Sequence, residues 1–359
     1  MIRPDSPASS RPLRIRRLLA AAALAVAVPA ATAGCGDRLS TTHVPNLAHP
    51  TIGYSVYDMT SFITLGQQGV ETEAAALGAK VLWRSANNDV NQQASQIQSL
   101  VNQKVDAIVL AAVDAATLAP QIKQAKQRGI PVFGVNTALT EPGAGELDGY
   151  VGPDDVGAGS AETKLLAEAL GGHGNVVVMQ GPLANSAEID RTTGIQRELA
   201  RQPGLKVLST QPADWDRTKA YTLMQNWLSA YGAQVNGVIA ENDDMAIGAS
   251  RALAAVNRTD VKVVGIDGIQ DGMSAVRSGQ LHASLLQNAP LELGIGLAAA
   301  VKSLRGQPVP KKALCQMPPL TRTTVNRYYD QLYGNPKEFL TQLPTLIERN
   351  LAPGNYANQ

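Results

Sequence analysis

From Thr51 to Leu304 the chain alternates short apolar runs with apolar stripes of helical period. Thr51 to Val56 reads as a strand, after which Phe62, Leu65, Gly69, Ala74 and Leu77 share one helical face. Lys80 to Trp83, Val105 to Ala111 and Val132 to Val135 are further strands. Between them lie stripes at Val90, Ala94, Ile97, Leu100 and Val101, then at Leu118, Ile122 and Ala125. The pattern breaks near Tyr150 to Asp155 and then resumes. Strands follow at Asn175–Met179, Lys206–Thr210, Val235–Ala240, Val261–Ile266 and Leu281–Leu286, separated by helical segments, and a last helix runs from about Leu291 to Leu304. Strands joined through helices of this length form parallel sheets covered on both faces. The expected fold class is α/β, with two Rossmann-like doubly wound parallel-sheet lobes. Gly306–Pro319 reads as irregular, and the tail from Tyr328 to Gln359 carries Tyr and Leu residues suited to covering one lobe.

The N-terminal segment has a different character. Arg11, Arg14, Arg16 and Arg17 precede Leu18–Ala33, which is mostly Ala and broken by Pro29. This is short and weakly apolar for a bilayer span, which needs about 20 apolar residues. A signal peptide over residues 1–34 is expected. Thr32-Ala33-Gly34-Cys35 resembles a bacterial lipoprotein cleavage box, although Thr32 stands where Leu is usual. Lipidation of Cys35 is expected; the alternative is an ordinary secretory signal with Cys35 incidental. Residues 35–50 read as a flexible tether. With Cys315 the only other cysteine, no disulfide framework is available. Removing 34 residues from 359 leaves about 325, enough for two cores. The net charge of +1 is spread evenly, which argues against nucleic acid as a partner. The four His lack metal-ligand spacing, so neither a metal nor a cofactor is expected.

In open parallel sheets, ligands sit beyond the carboxyl ends of the strands. The polar residues there are Tyr57, Asp58 and Thr60, then Asn136 and Thr137, then Asn185, Arg191, Trp215, Asn242, Asp267 and Gln287. They form two sets, one per sheet, placed to face each other across a cleft. Planar Asp, Asn, Gln and Arg groups suit adjacent hydroxyls, and an aromatic face suits the C–H side of a sugar. Each has a plainer reading as well: Asn242 and Asp267 as helix caps, Trp215 as core, Arg191 as a surface ion pair.

At these residues the sequence resembles the ribose-binding-protein family, the type I periplasmic binding proteins of ABC sugar importers. The resemblance spans Thr51 to Val325. It is carried by Asp190-Arg191-Thr192-Thr193-Gly194, Gln211-Pro212-Ala213-Asp214-Trp215-Asp216-Arg217, Glu241-Asn242-Asp243-Asp244-Met245-Ala246, and Val264-Gly265-Ile266-Asp267-Gly268 followed by Gln287. It implies that Arg191, Trp215, Asn242, Asp267 and Gln287 contact ligand from the second lobe. In the first lobe, Thr60-Ser61-Phe62-Ile63 replaces Asn-Pro-Phe-Phe, leaving one aromatic, and Asn136-Thr137 replaces an Asp-Arg pair. Thr60, Phe62, Asn136 and Thr137 are the expected first-lobe contacts, with Asp58 supplying a carboxylate from nearby. The family also implies a three-strand hinge, with crossings near Gly152–Asp154, Asn288–Pro290 and Leu320–Thr323. That assigns 51–152 and 290–320 to one lobe, and 153–289 and 321–359 to the other.

The resemblance, with the N-terminal signal, thus implies a monomeric receptor in the cell envelope, which the cleavage box would hold to the membrane by lipid at Cys35, facing the periplasm or the exterior. It would bind a sugar, sugar alcohol or similar small polyol other than ribose, close about its hinge, and deliver the ligand to ABC permease subunits. One rival is the same receptor signalling to a membrane sensor protein. Another is an exported carbohydrate-active enzyme, with Asp190 and Asp267 as a carboxylate pair. The chain has no Gly-x-Ser-x-Gly elbow, P-loop or dinucleotide fingerprint to support catalysis.

Overall fold

The computed structural model describes residues 43–351 and 355–356. The expected signal segment, Cys35 and the first part of the tether lie outside the described residues. The rest of the tether differs from expectation. Asp106 accepts hydrogen bonds from His43 Nε2 (2.7 Å), Asn46 N (2.9 Å) and Thr51 N (2.6 Å), so the chain is pinned to the body from His43 onward.

The first half contributes β1 (Thr51–Val56), α1 (Ser61–Leu77), β2 (Lys80–Ser85), α2 (Val90–Asn102), β3 (Ala107–Leu110), α3 (Ala119–Gln127), β4 (Val132–Val135), the short α4 (Gly143–Glu146) and β5 (Gly149–Pro153). The second contributes α5 (Asp155–Ala169), β6 (Gly174–Gln180), α6 (Ser186–Leu199), β7 (Leu205–Pro212), α7 (Arg217–Tyr231), β8 (Gly237–Ala240), α8 (Asp243–Ala255), β9 (Lys262–Val264), α9 (Gln270–Ser278) and β10 (Ser284–Leu285). The chain then gives α10 (Ala289–Leu304), β11 (Lys312–Cys315), β12 (Pro319–Leu320), α11 (Val325–Tyr329), α12 (Pro336–Leu351) and β13 (Asn355–Tyr356).

Two sheets result. The first runs β13-β11-β5-β4-β3-β1-β2, all parallel. The second runs β7-β6-β8-β9, and parallel bridges Val264–Ala283 and Asp267–Leu286 extend it toward β10. Both therefore repeat one winding, in which the first strand of the lobe lies between the second and the third. Each sheet has a switch point there, at the carboxyl ends of β1 and β3 and of β6 and β8.

The break expected at Tyr150–Asp155 is strand β5, which leads directly into α5 in the other lobe. Gly306–Pro319, expected to be irregular, contains β11, which pairs with β5. The return crossing falls at 316–318, a few residues before the expected one, because Pro319–Leu320 already pairs with β10. Helix α10 is buried continuously from Ala289 to Val301, a stretch that is apolar apart from Glu292. Tyr54 Oη donates to Leu293 O at 2.9 Å and fixes this helix against the first sheet.

The tail does not stay with the second lobe. Helix α11 packs on α9, and Tyr333 Oη donates to Gly268 O at 2.9 Å. After a π-helical turn at Asp330–Gly334, α12 lies on α1 and α10 of the first lobe. Its stripe of Phe339, Leu343 and Ile347 explains the placement, because these side chains are buried and α1 and α10 offer apolar faces. Leu343→Ala should cost about 2–5 kcal/mol, read as a lower urea midpoint at unchanged slope. A loss under about 0.5 kcal/mol, the range of surface substitutions, would show that α12 contributes no core.

Candidate ligand site between the lobes

The two switch points face each other. Thr60, Phe62 and Asn136 from the first lobe and Arg191, Trp215, Asn242, Asp267 and Gln287 from the second line one cavity, together with Tyr57, Asn185 and Ala187. The lobes are closed over it. Ala115 N donates to Ala184 O (3.0 Å), Ala138 N to Ser186 Oγ (2.7 Å) and Asn185 Nδ2 to Ala112 O (3.4 Å), each across the gap. The remaining cavity is about 20 Å³, room for about one water, so a larger ligand enters only when the lobes part.

Arg191 is placed by a close helix crossing. A side chain at Gly159 of α5 would strike the Arg191 carbonyl, and one at Gly194 of α6 would strike that of Val156. The two helices therefore meet backbone to backbone, which sets Arg191 beside the start of α5. Its Nε bonds Asp155 Oδ1 (2.8 Å), Nη1 bonds Glu241 O (2.5 Å) and Nη2 bonds Gln287 Oε1 (2.8 Å). The plain reading of Arg191 as an ion pair is thus correct in kind but not in place: the pair is buried.

The guanidinium lies 5.6 Å from the Trp215 ring centroid. Trp215 and Asp214 both have positive φ, 59° and 54°, which turns the indole back over the end of β6. A Cβ at Gly181 would fall inside that ring, so only glycine lets the indole lie there. Asn136 (φ 63°) and Asp267 (φ 133°) are also strained. Four cleft residues or their neighbours thus hold conformations that cost about 1–3 kcal/mol each and that concentrate at functional sites. Asn242 caps α8 through Met245 N (2.9 Å) while lining the cleft, so both of its readings hold. Asp267 caps no helix. Its Oδ2 is buried and has no hydrogen-bond partner among the described residues.

A closed two-lobe cleft at paired switch points, lined by such groups, is solute-receptor geometry, and comparison with known proteins agrees. The model of the periplasmic binding protein domain matches residues 52–308. The chain belongs to the periplasmic binding protein family. A xylitol-binding protein of Mycolicibacterium smegmatis is 44% identical over 337 residues, 94% of each chain. The ribose import binding protein of Escherichia coli is 33% identical over 269 residues, 74% of this chain and 88% of its own. Among solved structures, an ABC transporter solute-binding protein from Bacillus halodurans with bound myo-inositol superposes with TM-score 0.73 at 29% identity, covering 79% of this chain and 99% of that one. These relatives are binding proteins and not enzymes, as expected from the sequence.

Two expected contacts are corrected within this family frame. Asp58 is turned away from the cavity, where its oxygens accept from Met59 N (2.8 Å) and Asn88 Nδ2 (2.8 Å). Thr137 is buried behind the cleft and its hydroxyl donates to Ala112 O at 3.1 Å. The burial of Glu162, Glu241, Asp243 and Glu292 was not anticipated. Glu241 accepts from Gly181 N (2.9 Å) and Thr192 Oγ1 (2.7 Å), and burial still pushes its carboxyl up to about 8. Burial raises Glu162 well above the usual range, and both of its oxygens lack partners among the described residues. Burial, then the Asp243 carboxyl beside it, likewise raises Asp267. Asp155 is pushed up to about 6 by burial, with Arg191 pulling it down. The sequence signal for Glu241 was available, an acid directly ending an apolar strand. Glu292 reads simply as a first-turn acid complementing the helix dipole.

Two outcomes follow from this geometry. Gly181→Ala should displace the indole, shifting Trp emission to the red, with no such shift in a Trp215→Phe background; an unchanged spectrum in both would contradict the packing. The raised carboxyls of Asp155, Glu241 and Glu292 hold protons that the unfolded chain releases near pH 4–4.5. Their contribution to stability is fully present below that range and is lost as pH rises through about 6 to 8. The ligand-free melting temperature should therefore fall from pH 5.5 to 8.5, and a rise over that range would contradict the burial of these acids.

Proposed function

We propose that this chain is an exported receptor that binds a small polyol or sugar between its lobes and hands it to an ABC permease. The observation that carries the reading is the cleft itself. Arg191 and an Asp267 oxygen without a hydrogen-bond partner among the described residues lie there with Phe62 and Trp215. A hydroxyl would complete Asp267, and the aromatic faces would cover C–H groups. Arg191, Trp215, Asn242 and Asp267 serve as second-lobe contacts, and Thr60, Phe62 and Asn136 as first-lobe contacts. Ligand bonds to both lobes favour the closed form, and that differential affinity is what shifts the population. Xylitol is the first candidate because of the relative at 44% identity. The loss of one aromatic in Thr60-Ser61-Phe62-Ile63 and the neutral Asn136 favour an acyclic polyol over a pentose ring. We further propose a monomer anchored through lipid at Cys35.

The test is calorimetry and thermal shift of the chain starting after Cys35, against pentitols, myo-inositol and ribose. A native-state ligand raises the melting temperature. A pentitol should bind tighter than ribose, and Asp267→Ala or Arg191→Ala should weaken it at least a hundredfold, the order expected when a buried charged partner is left unpaired. Ribose as the tightest ligand would overturn the polyol assignment, and no binder in the panel would overturn the receptor reading for this class.

A further inference from the structure

Glu292 lies in the first turn of α10, fully buried, directly after the crossing that joins the lobes. It touches the proposed ligand set from both sides. Asn136 Nδ2, at the end of β4, donates to Oε1 at 3.0 Å. Gln287 Nε2, anchored in the second lobe by its backbone bond to Asp267 O (2.8 Å), donates to Oε1 (3.2 Å) and Oε2 (3.0 Å). The other end of the Gln287 amide accepts from Arg191 Nη2 at 2.8 Å. A continuous polar chain therefore runs Arg191–Gln287–Glu292–Asn136 across the hinge.

Directionality makes this chain informative. Both amides present NH2 groups to one carboxylate, which can only accept. That fixes which way each amide faces: the Asn136 oxygen is left pointing elsewhere, and the Gln287 oxygen must face Arg191. With its nitrogen on Glu292 and its oxygen on Arg191, Gln287 is engaged at both ends within the protein. It is a linker more than a ligand contact. The Cys315 thiol of β11 adds a hydrogen bond to the same carboxyl, while Asp155 of α5 opposes its charge. Burial pushes the group up to about 7 and the Asn136 and Gln287 bonds pull it down, so above neutrality it is the acceptor this arrangement requires.

We propose that Glu292 is the positioning residue of the cleft: its carboxylate orients the Asn136 and Gln287 amides, one from each lobe, and through Gln287 holds the Arg191 guanidinium for ligand. The inference rests on the polyol-receptor reading for its affinity measurement, and an independent ligand-free measurement accompanies it.

The decisive variants are Glu292→Gln and the exchange Gln287→Glu with Glu292→Gln, compared at pH 8. Glu292→Gln sets an NH2 against one of the two amides and should weaken binding of whichever polyol the wild type takes by about tenfold or more. The exchange restores complementarity. The new carboxylate at 287 accepts from Arg191 and from the amide at 292, whose oxygen accepts from Asn136. It should recover most of the loss, which a role in bulk packing would not. In the ligand-free protein, Glu292→Gln should move the side-chain amide resonances of Asn136 and Gln287 while most backbone amides stay in place. Wild-type affinity for Glu292→Gln, a loss that the exchange fails to recover, or unmoved amide resonances would each overturn the proposal. If the wild type binds none of the panel, the receptor reading fails while the resonances still judge Glu292. Should Glu292→Gln not fold, Asn136→Asp sets two carboxyls face to face and must weaken binding more than Asn136→Ala; equal losses would overturn it.

Discussion

The structure depends on one buried cation. Arg191 is buried, with 4% of its surface exposed, and an ion taken from water costs several kcal/mol unless it is paired and hydrogen-bonded. Asp155, the Glu241 carbonyl and Gln287 provide those bonds from the helix after the first crossing, the end of the central strand of the second sheet, and the start of the second crossing. Satisfying one guanidinium thus aligns three chain segments that are far apart in sequence. The α5–α6 contact through Gly159 and Gly194 is what brings them within reach. Burial raises the surrounding carboxyls of Glu162, Glu241 and Asp267, while the Arg191 guanidinium pulls each of them down.

This arrangement suits hinge closure. Cross-lobe contacts beside the cleft include polar bonds, such as Ala138 N to Ser186 Oγ, which opening exchanges for bonds to water at a net cost of about 0.5–1.5 kcal/mol each. Ligand bonds to both half-sites add to these contacts and favour the closed form. The tail adds a connection that three crossings alone would not give. It holds Gly268, next to Asp267, through Tyr333, and holds α1, which starts beside Thr60, through α12.

Much of the fold was legible because each lobe writes itself in a repeating code. Apolar runs such as Val105–Ala111 and stripes such as Met245–Val256 give the winding, and the winding gives the strand ends. Once the strand ends were known, Arg191, Trp215, Asn242 and Asp267 could be grouped, and the cavity they line groups them too. Asp58 and Thr137 were misplaced because a residue one or two positions past a strand turns inward or outward according to local φ/ψ, which sequence does not state. The Asp106 clamp on His43, Asn46 and Thr51 and the two-lobe path of the tail depend on contacts distant in sequence. Local pattern is silent on these. Glu292 was hidden for a different reason: an acid in a helix's first turn already has a sufficient local explanation.

The most direct measurement is a crystal structure of the chain beginning after Cys35, grown with xylitol. Closed lobes are expected, with a ligand hydroxyl on Asp267 Oδ2 and on Arg191, and the carbon chain held between Phe62 and Trp215. Ligand bound outside this cleft, or bound within it without touching either Arg191 or Asp267, would rule out the cleft as the receptor site.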